Sequence, residues 1–190
     1  MEKLKVGILG LRRGITHLHN FLAVQNAEVI GACDWYQRNR DRAAEVMAGA
    51  DCKAPILEQL DDLLDLKPDA IMLACNGRQQ AQCAIQAMEA GCHVLVEKPM
   101  ALSVAEADRM IATSSAHEVT LCPNHNYLFK PSIRRAMDLV AGGEIGDVVH
   151  VHGYYGLADE GSAYEGRGGR SHWAYALPWG PFTNFLPHVI

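Results

Sequence analysis

Residues 4 to 14 read L-K-V-G-I-L-G-L-R-R-G, and this stretch decides the fold. Val6, Ile8 and Leu9 form a short apolar run that stops at Gly10. Ile15, Leu18 and Leu22 then recur at helical spacing, with Phe21 beside them and Asn26 closing the segment. The pattern predicts a strand, a tight turn and a helix lying on a sheet. A glycine in the turn takes backbone angles closed to other residues. The turn presents N–H groups at the start of a helix whose dipole adds roughly half a positive charge, a setting that suits a phosphate. The dinucleotide fingerprint G-x-G-x-x-G is met only in part. Gly10 supplies its first glycine, Arg12 and Ile15 stand where the second and third belong, and Gly14 comes one place early. Two readings stand on these residues alone: a dinucleotide turn in which Gly10, Leu11, Arg12, Arg13 and Gly14 surround the phosphates, or the glycine turn of any parallel-sheet domain.

Composition narrows the partners. A chain of 190 residues holds one ordinary domain and part of another, and 49% hydrophobic content is ample for a core. The net charge of -5 is scattered without a basic stripe, which favours neither nucleic acid nor an anionic membrane. The first strand begins too early for an export signal, and no apolar run approaches the ~20 residues of a membrane span. Six cysteines, at 33, 52, 75, 83, 92 and 122, form no C-x-x-C pair and read as reduced thiols of a cytoplasmic protein. His17 with His19, and His150 with His152, lack the further ligands of a zinc site, so no metal is expected. There is no internal repeat or low-complexity tract.

A second apolar strand, Val29 to Cys33, ends at Asp34, 24 residues past Gly10. A carboxylate at that tip can accept hydrogen bonds from both hydroxyls of an adenine ribose and repels a 2'-phosphate. The alternative is that Asp34 merely caps the helix that follows, which spans Asp41 to Met47; the glycine turn and the carboxylate together favour the ribose role. Trp35 and Arg38 lie beside it. Arg38 and Arg40, with Arg12 and Arg13, could neutralise the extra phosphate of NADP, so NAD is favoured with NADP admitted. Leu57 to Leu66 predicts a Leu-rich helix ended by Lys67-Pro68. Asp69 to Cys75 is apolar on both faces, as expected of a parallel strand covered by helices on both sides. Asn76-Gly77 breaks it, Gln79 to Ala90 is helical, and His93 to Val96 is another buried strand. Glu97-Lys98-Pro99 stops the pairing and leaves two charged side chains at the carboxyl edge, where open α/β sheets bind ligands. Ser103 with Glu106 forms a capping box for a helix to about Ser115, and Val119 to Cys122 is the last strand. These strands alternate with five helical segments, the pattern of a doubly wound parallel Rossmann sheet over residues 1–122.

Residues 89 to 101, E-A-G-C-H-V-L-V-E-K-P-M-A, closely resemble the signature of the Gfo/Idh/MocA oxidoreductase family, A-G-K-H-V-L-x-E-K-P. Asn126-Tyr127-Leu128-Phe129-Lys130-Pro131 is similar to the family's N-x-R-F-x-P, Gly142 to Gly146 to its G-x-I-G turn, and Gly180 to His188 to its glycine-rich stretch ending in D-x-x-x-H. The resemblance implies an NAD(P)-dependent dehydrogenase acting on a carbinol or carbonyl group of a sugar, polyol or cyclitol. It implies that Lys98 and His188 handle protons, and that Cys75, Asn76, Gln80, Glu97, Lys98 and Asn126 join the turn residues around the cofactor. His188 could instead be structural. Departures are also visible: Cys75-Asn76 replaces a Thr-Pro, Gln80 a histidine, Leu128 an arginine and Asn184 an aspartate. Two alternatives accompany the dehydrogenase reading: a non-catalytic dinucleotide-binding sensor, and redox-assisted glycoside cleavage.

Residues 123–190 read as the beginning of an α+β substrate and oligomerisation domain with an open antiparallel sheet. Pro131 opens a helix to about Ala141. Val148 to Tyr155, V-V-H-V-H-G-Y-Y, alternates like a half-buried strand, with Gly153 marking a bulge. Leu157 to Trp179 reads as a loop over the site, in which His172, Trp173 and Trp179 are either substrate walls or core. One strand cannot make a sheet. The expectation is therefore of an incomplete second domain, a 190-residue chain inactive by itself, and a homo-oligomer when full length.

Overall fold

The computed structural model describes residues 2–152. The chain divides into two compact units, Met1–Asn124 and His125–Ile190. In the first, the elements run β1 (Leu4–Leu9), α1 (Ile15–Ala23), β2 (Ala27–Cys33), α2 (Gln37–Gly49), β3 (Ile56–Leu57), α3 (Leu60–Asp65), β4 (Ala70–Leu73), α4 (Gly77–Glu89), β5 (His93–Val96), α5 (Val104–Ala116) and β6 (Leu121–Pro123). The strands form one sheet in the order β3-β2-β1-β4-β5-β6, and every pairing is parallel. The chain winds outward from β1 to β3, then crosses back and winds outward again from β4. The direction of winding reverses between β1 and β4, and a crevice opens at the carboxyl ends of such a pair.

Strand residues alternate between two cores. Val6 and Ile8 of β1 and Met72 of β4 join Ile15 and Leu18 of α1 and Ala43 and Met47 of α2. Leu9, Ile71 and Leu73 point to the other side, where Leu63 of α3, Ala84 and Met88 of α4 and Met110 of α5 cover them. Each such Leu, Ile or Met contributes about 1.5–3 kcal/mol by leaving water. Helices on both faces explain why β4 shows no polar alternation.

Boundaries differ from the expected ones in physically readable ways. The sixth strand is β3, whose Ile56 and Leu57 pair with Ala32 and Cys33; the helix expected from Leu57 begins only at Leu60. Helix α2 starts four residues earlier than Asp41 and ends at Gly49. The cap of α5 forms, with Glu106 N–H donating to Ser103 Oγ at 3.2 Å, but the returning Glu106 carboxylate accepts from Leu102 N–H at 2.9 Å rather than from Ser103.

In the second unit a 3-10 turn, Asn126–Phe129, precedes α6 (Pro131–Ala141), which has proline in its first turn as expected. Lys130 Nζ sits 3.5 Å from the centre of the Tyr127 ring. Residues 148–152 carry no strand, contrary to the alternation of Val148 to Tyr155. Gly153, Tyr155, His172, Trp173, Trp179, Asn184 and His188 lie outside the described residues, as does the stretch in which the antiparallel sheet was expected.

Candidate functional site

The parallel ladder continues one residue past five of the six strands, and this alignment builds the site. Gly10 N–H donates to Cys33 O at 2.8 Å, Ala74 N–H to Leu9 O at 2.8 Å, Glu97 N–H to Leu73 O at 2.8 Å, Asn124 N–H to Val96 O at 2.7 Å and Asp34 N–H to Leu57 O at 3.2 Å. Gly10, Asp34, Ala74, Glu97 and Asn124 are thereby fixed in a row along the carboxyl edge of the sheet.

Gly10 has φ +90°, and a Cβ there would lie 2.6 Å from the Ala74 carbonyl. A Cβ on Gly14 would lie 2.1 Å from Gly10 O. The turn is therefore closed against both β4 and the first turn of α1, and Gly14 does the close-packing work that the fingerprint gives to its last glycine. Arg12 and Arg13 are exposed on its outer side.

Asp34 is 3% exposed. Its Oδ2 accepts from Leu11 N–H at 2.6 Å and Asn39 Nδ2 at 3.0 Å, and its Oδ1 from Tyr36 N–H at 2.8 Å. The carboxylate ties Tyr36 and Asn39 to the glycine turn but does not cap α2, whose N-cap position is Tyr36 with no side-chain cap, and acceptor capacity remains on Oδ1 for one further donor. Arg40 is occupied, donating to Asp34 O at 2.8 Å and pairing with Glu58 at 3.2 Å, whereas Arg38 is exposed. Trp35 packs against the core beside Asp34.

At the tip of β4, Asn76 caps α4 by accepting from Arg78 N–H at 3.2 Å. The Cys75 thiol is pushed up, by its hydrogen bond with Cys83 and by burial, so it stays a neutral thiol. At the tip of β5, Glu97 Oε1 accepts from His17 Nε2 and from Asn124 Nδ2, each at 2.9 Å, and Oε2 accepts from Lys98 N–H at 3.1 Å. Burial alone would raise the Glu97 carboxyl, but the His17 and Asn124 hydrogen bonds and the charges of His17 and Arg13 outweigh it and hold it below the usual range. The Lys98 ammonium is lowered, by burial first and by Arg13, against the opposing pull of Glu97. Arg13 thus brings the glycine turn within electrostatic reach of the β5 tip.

Of the residues expected around a cofactor, Gly10, Leu11, Arg12, Arg13, Gly14, Asp34, Trp35, Arg38, Cys75, Asn76, Glu97 and Lys98 all lie at this edge of the first unit. Gln80 is buried, 1% exposed, and its amide faces backbone carbonyls at the β5 tip. Asn126 opens the 3-10 turn of the second unit. Sequence reasoning did not connect His17 or Asn124 to Glu97. His17 lies 80 residues from it and Asn124 lies 27, and no local pattern reports such contacts. Among the described residues there is no cluster of His, Cys, Asp and Glu able to hold a metal, and no helix long and apolar enough to cross a membrane.

The model of the Gfo/Idh/MocA oxidoreductase family, described as an NAD-binding Rossmann fold, matches residues 4–125. The chain belongs to this family. Among curated relatives, glycosyl hydrolase family 109 protein 2 of Akkermansia muciniphila is 26% identical over 162 residues, covering 82% of this chain and 34% of its own length. Glycosyl hydrolase family 109 protein 1 of a Shewanella species is 27% identical over 167 residues, covering 82% of this chain and 35% of its own. The chain spans about a third of the length of these relatives. Among solved structures, scyllo-inositol dehydrogenase from Lactobacillus casei, with bound NAD(H) and scyllo-inositol, is similar at 27% identity and a TM-score of 0.69 over 77% of this chain and 43% of that one.

Proposed function

We propose that this Gfo/Idh/MocA chain belongs to an oxidoreductase that moves a hydride between a nicotinamide dinucleotide, NAD in preference to NADP, and a carbinol or carbonyl carbon of a sugar, cyclitol or related small polar molecule. Three features fit such a cofactor: a carboxylate at the β2 tip with acceptor capacity left on Oδ1, two exposed guanidinium groups in the β1–α1 turn, and a half-buried ammonium one residue past the row at β5. Asp34 would hold the adenine ribose, Arg12 and Arg13 the phosphates, and Asn76 and Lys98 the nicotinamide end. When bound, the cofactor supplies the hydride acceptor or donor; the protein supplies position and proton handling.

The observation that carries the proposal is Lys98. An ammonium below its ordinary 10.5 releases and regains a proton closer to neutrality than a free lysine does, and a proton must leave a carbinol oxygen as hydride leaves its carbon. Glu97, bonded on both oxygens, is engaged in holding this tip rather than in reacting. His188 is the second proton-handling residue of the proposal, on its resemblance to the family motif. The test is a spectrophotometric screen of polyols, cyclitols and sugars with NAD, repeated with Lys98→Ala. Reduction of NAD by the wild type and its loss in the variant support the assignment; unchanged turnover in Lys98→Ala overturns it.

The relatives named glycosyl hydrolases favour a second reading, in which the same oxidation is transient and enables cleavage of a glycosidic bond. Release of the aglycone from a chromogenic glycoside without net accumulation of NADH would select it.

A further inference from the structure

Gln80 stands in the first turn of α4, where the family pattern has a histidine, and is almost wholly buried. Its Nε2 donates to Glu97 O and, at 2.6 Å, to Pro99 O. These are the carbonyls of the two residues flanking Lys98. The Lys98 N–H is taken by Glu97 Oε2 at 3.1 Å, so the backbone around this lysine is held on both sides and at its own donor. With two carbonyl acceptors facing it, the amide is oriented with its NH2 group toward them. From this geometry we infer that Gln80 is a positioning residue, a clamp on the Lys98 main chain, and not a cofactor ligand.

The chemistry selects the residue type. A primary amide carries two N–H groups on one uncharged atom, so it can serve two adjacent carbonyls without bringing a charge into a buried place. Leucine would fill the space and leave both carbonyls without this donor. Glutamate would face them with lone pairs. Histidine offers one N–H in a given direction and would serve one carbonyl of the two. Catalytic geometry is sensitive to displacements of about 1 Å, which cost up to about 100-fold in rate, so a clamp remote from substrate still governs turnover.

The inference rests on Lys98 as the proton-handling group, and the experiment separates the two. In the full chain, Gln80→Leu and Gln80→His are compared with wild type for NAD affinity by calorimetry, for turnover of a polyol that the wild type oxidises, and for the pH midpoint of Lys98 acetylation read by peptide mass spectrometry. Lys53, with 83% of its side chain exposed, is the internal reference. The expected result for Gln80→Leu is an NAD Kd within about twofold of wild type, a kcat reduced about tenfold or more, and a Lys98 midpoint raised toward the ordinary 10.5 as water reaches a loosened ammonium. Gln80→His should lie between. An unchanged Lys98 midpoint in both variants overturns the clamp, and so does an NAD Kd weakened about tenfold with kcat preserved, which would mark a cofactor ligand. If Gln80→Leu does not fold, Gln80→His decides by the same readouts. If the wild type oxidises no polyol, the proposed function fails while the Lys98 midpoint still decides the clamp.

Discussion

His17 Nε2 lies 2.9 Å from Glu97 Oε1, joining the first turn of α1 to the tip of β5 across 80 residues of sequence. This contact crosses the point where the winding of the sheet reverses, so one hydrogen bond ties the glycine turn to the lysine that follows Glu97. The Glu97 carboxylate is the junction: His17 and Asn124 meet at one oxygen and the Lys98 backbone at the other.

Neutralising that junction should move Lys98 further down. Glu97 pulls the Lys98 ammonium upward, against burial and Arg13. In Glu97→Gln the acetylation midpoint of Lys98 is expected below its wild-type value, and any pH-rate rise should shift to lower pH with it. A midpoint that rises would show that the carboxylate does not face the ammonium.

The same carboxylate makes stability depend on pH with a definite sign. Its value in the folded state is below the ordinary 4.5, so its contribution is present above 4.5 and disappears as pH falls through the lower folded value. Urea midpoints of wild type and Glu97→Gln should therefore differ at pH 7 and converge toward pH 3. A constant difference over that range would assign the loss to packing rather than to ionisation.

Gly14→Ala should cost about 1–3 kcal/mol in a denaturant titration, since the new methyl would fall 2.1 Å from Gly10 O and the turn must shift. Gly49→Ala at the end of α2, with nothing within 4 Å of the new atom, should leave the midpoint unchanged or raise it slightly. Equal effects at the two sites would mean that Gly14 is not a close-packing glycine.

Asp34→Ala removes the acceptor of Leu11 N–H, a buried donor whose loss of partner costs about 1–3 kcal/mol. It also removes the acceptor proposed for the ribose. Calorimetry should show NAD binding weakened about tenfold, the worth of one hydrogen bond to a charged group, with NADP affinity unchanged or improved. A proportionate loss for both dinucleotides would assign Asp34 to the turn alone.

Strand β1, its glycine turn and α1 were legible because the period changes abruptly at Gly10, and the cap at Ser103 was legible because its signature is four residues long. Glu97-Lys98-Pro99 was visible both as charge at a strand end and as a family motif. Strand β3 was not visible: two residues carry no alternation, and Ile56-Leu57 merges with the leucines of α3. The roles of His17 and Asn124 were hidden for a different reason, since their contacts are set by ladder register between distant strands. Gln80 was noticed only as a substitution in a motif, and its amide geometry became readable once the two carbonyls beside Lys98 were in place. Gly14 was read as a glycine out of register with the fingerprint, yet its missing Cβ is what lets α1 begin against Gly10.

The central claim, that NAD lies over the carboxyl edge with its reactive end at Lys98, is tested most directly by lysine footprinting. The full chain is acetylated with and without saturating NAD and the modification of each lysine is read by peptide mass spectrometry. The account predicts that NAD slows acetylation of Lys98 about tenfold or more while exposed Lys53 and Lys67 react as before. Saturable NAD binding that leaves the rate at Lys98 unchanged would contradict it.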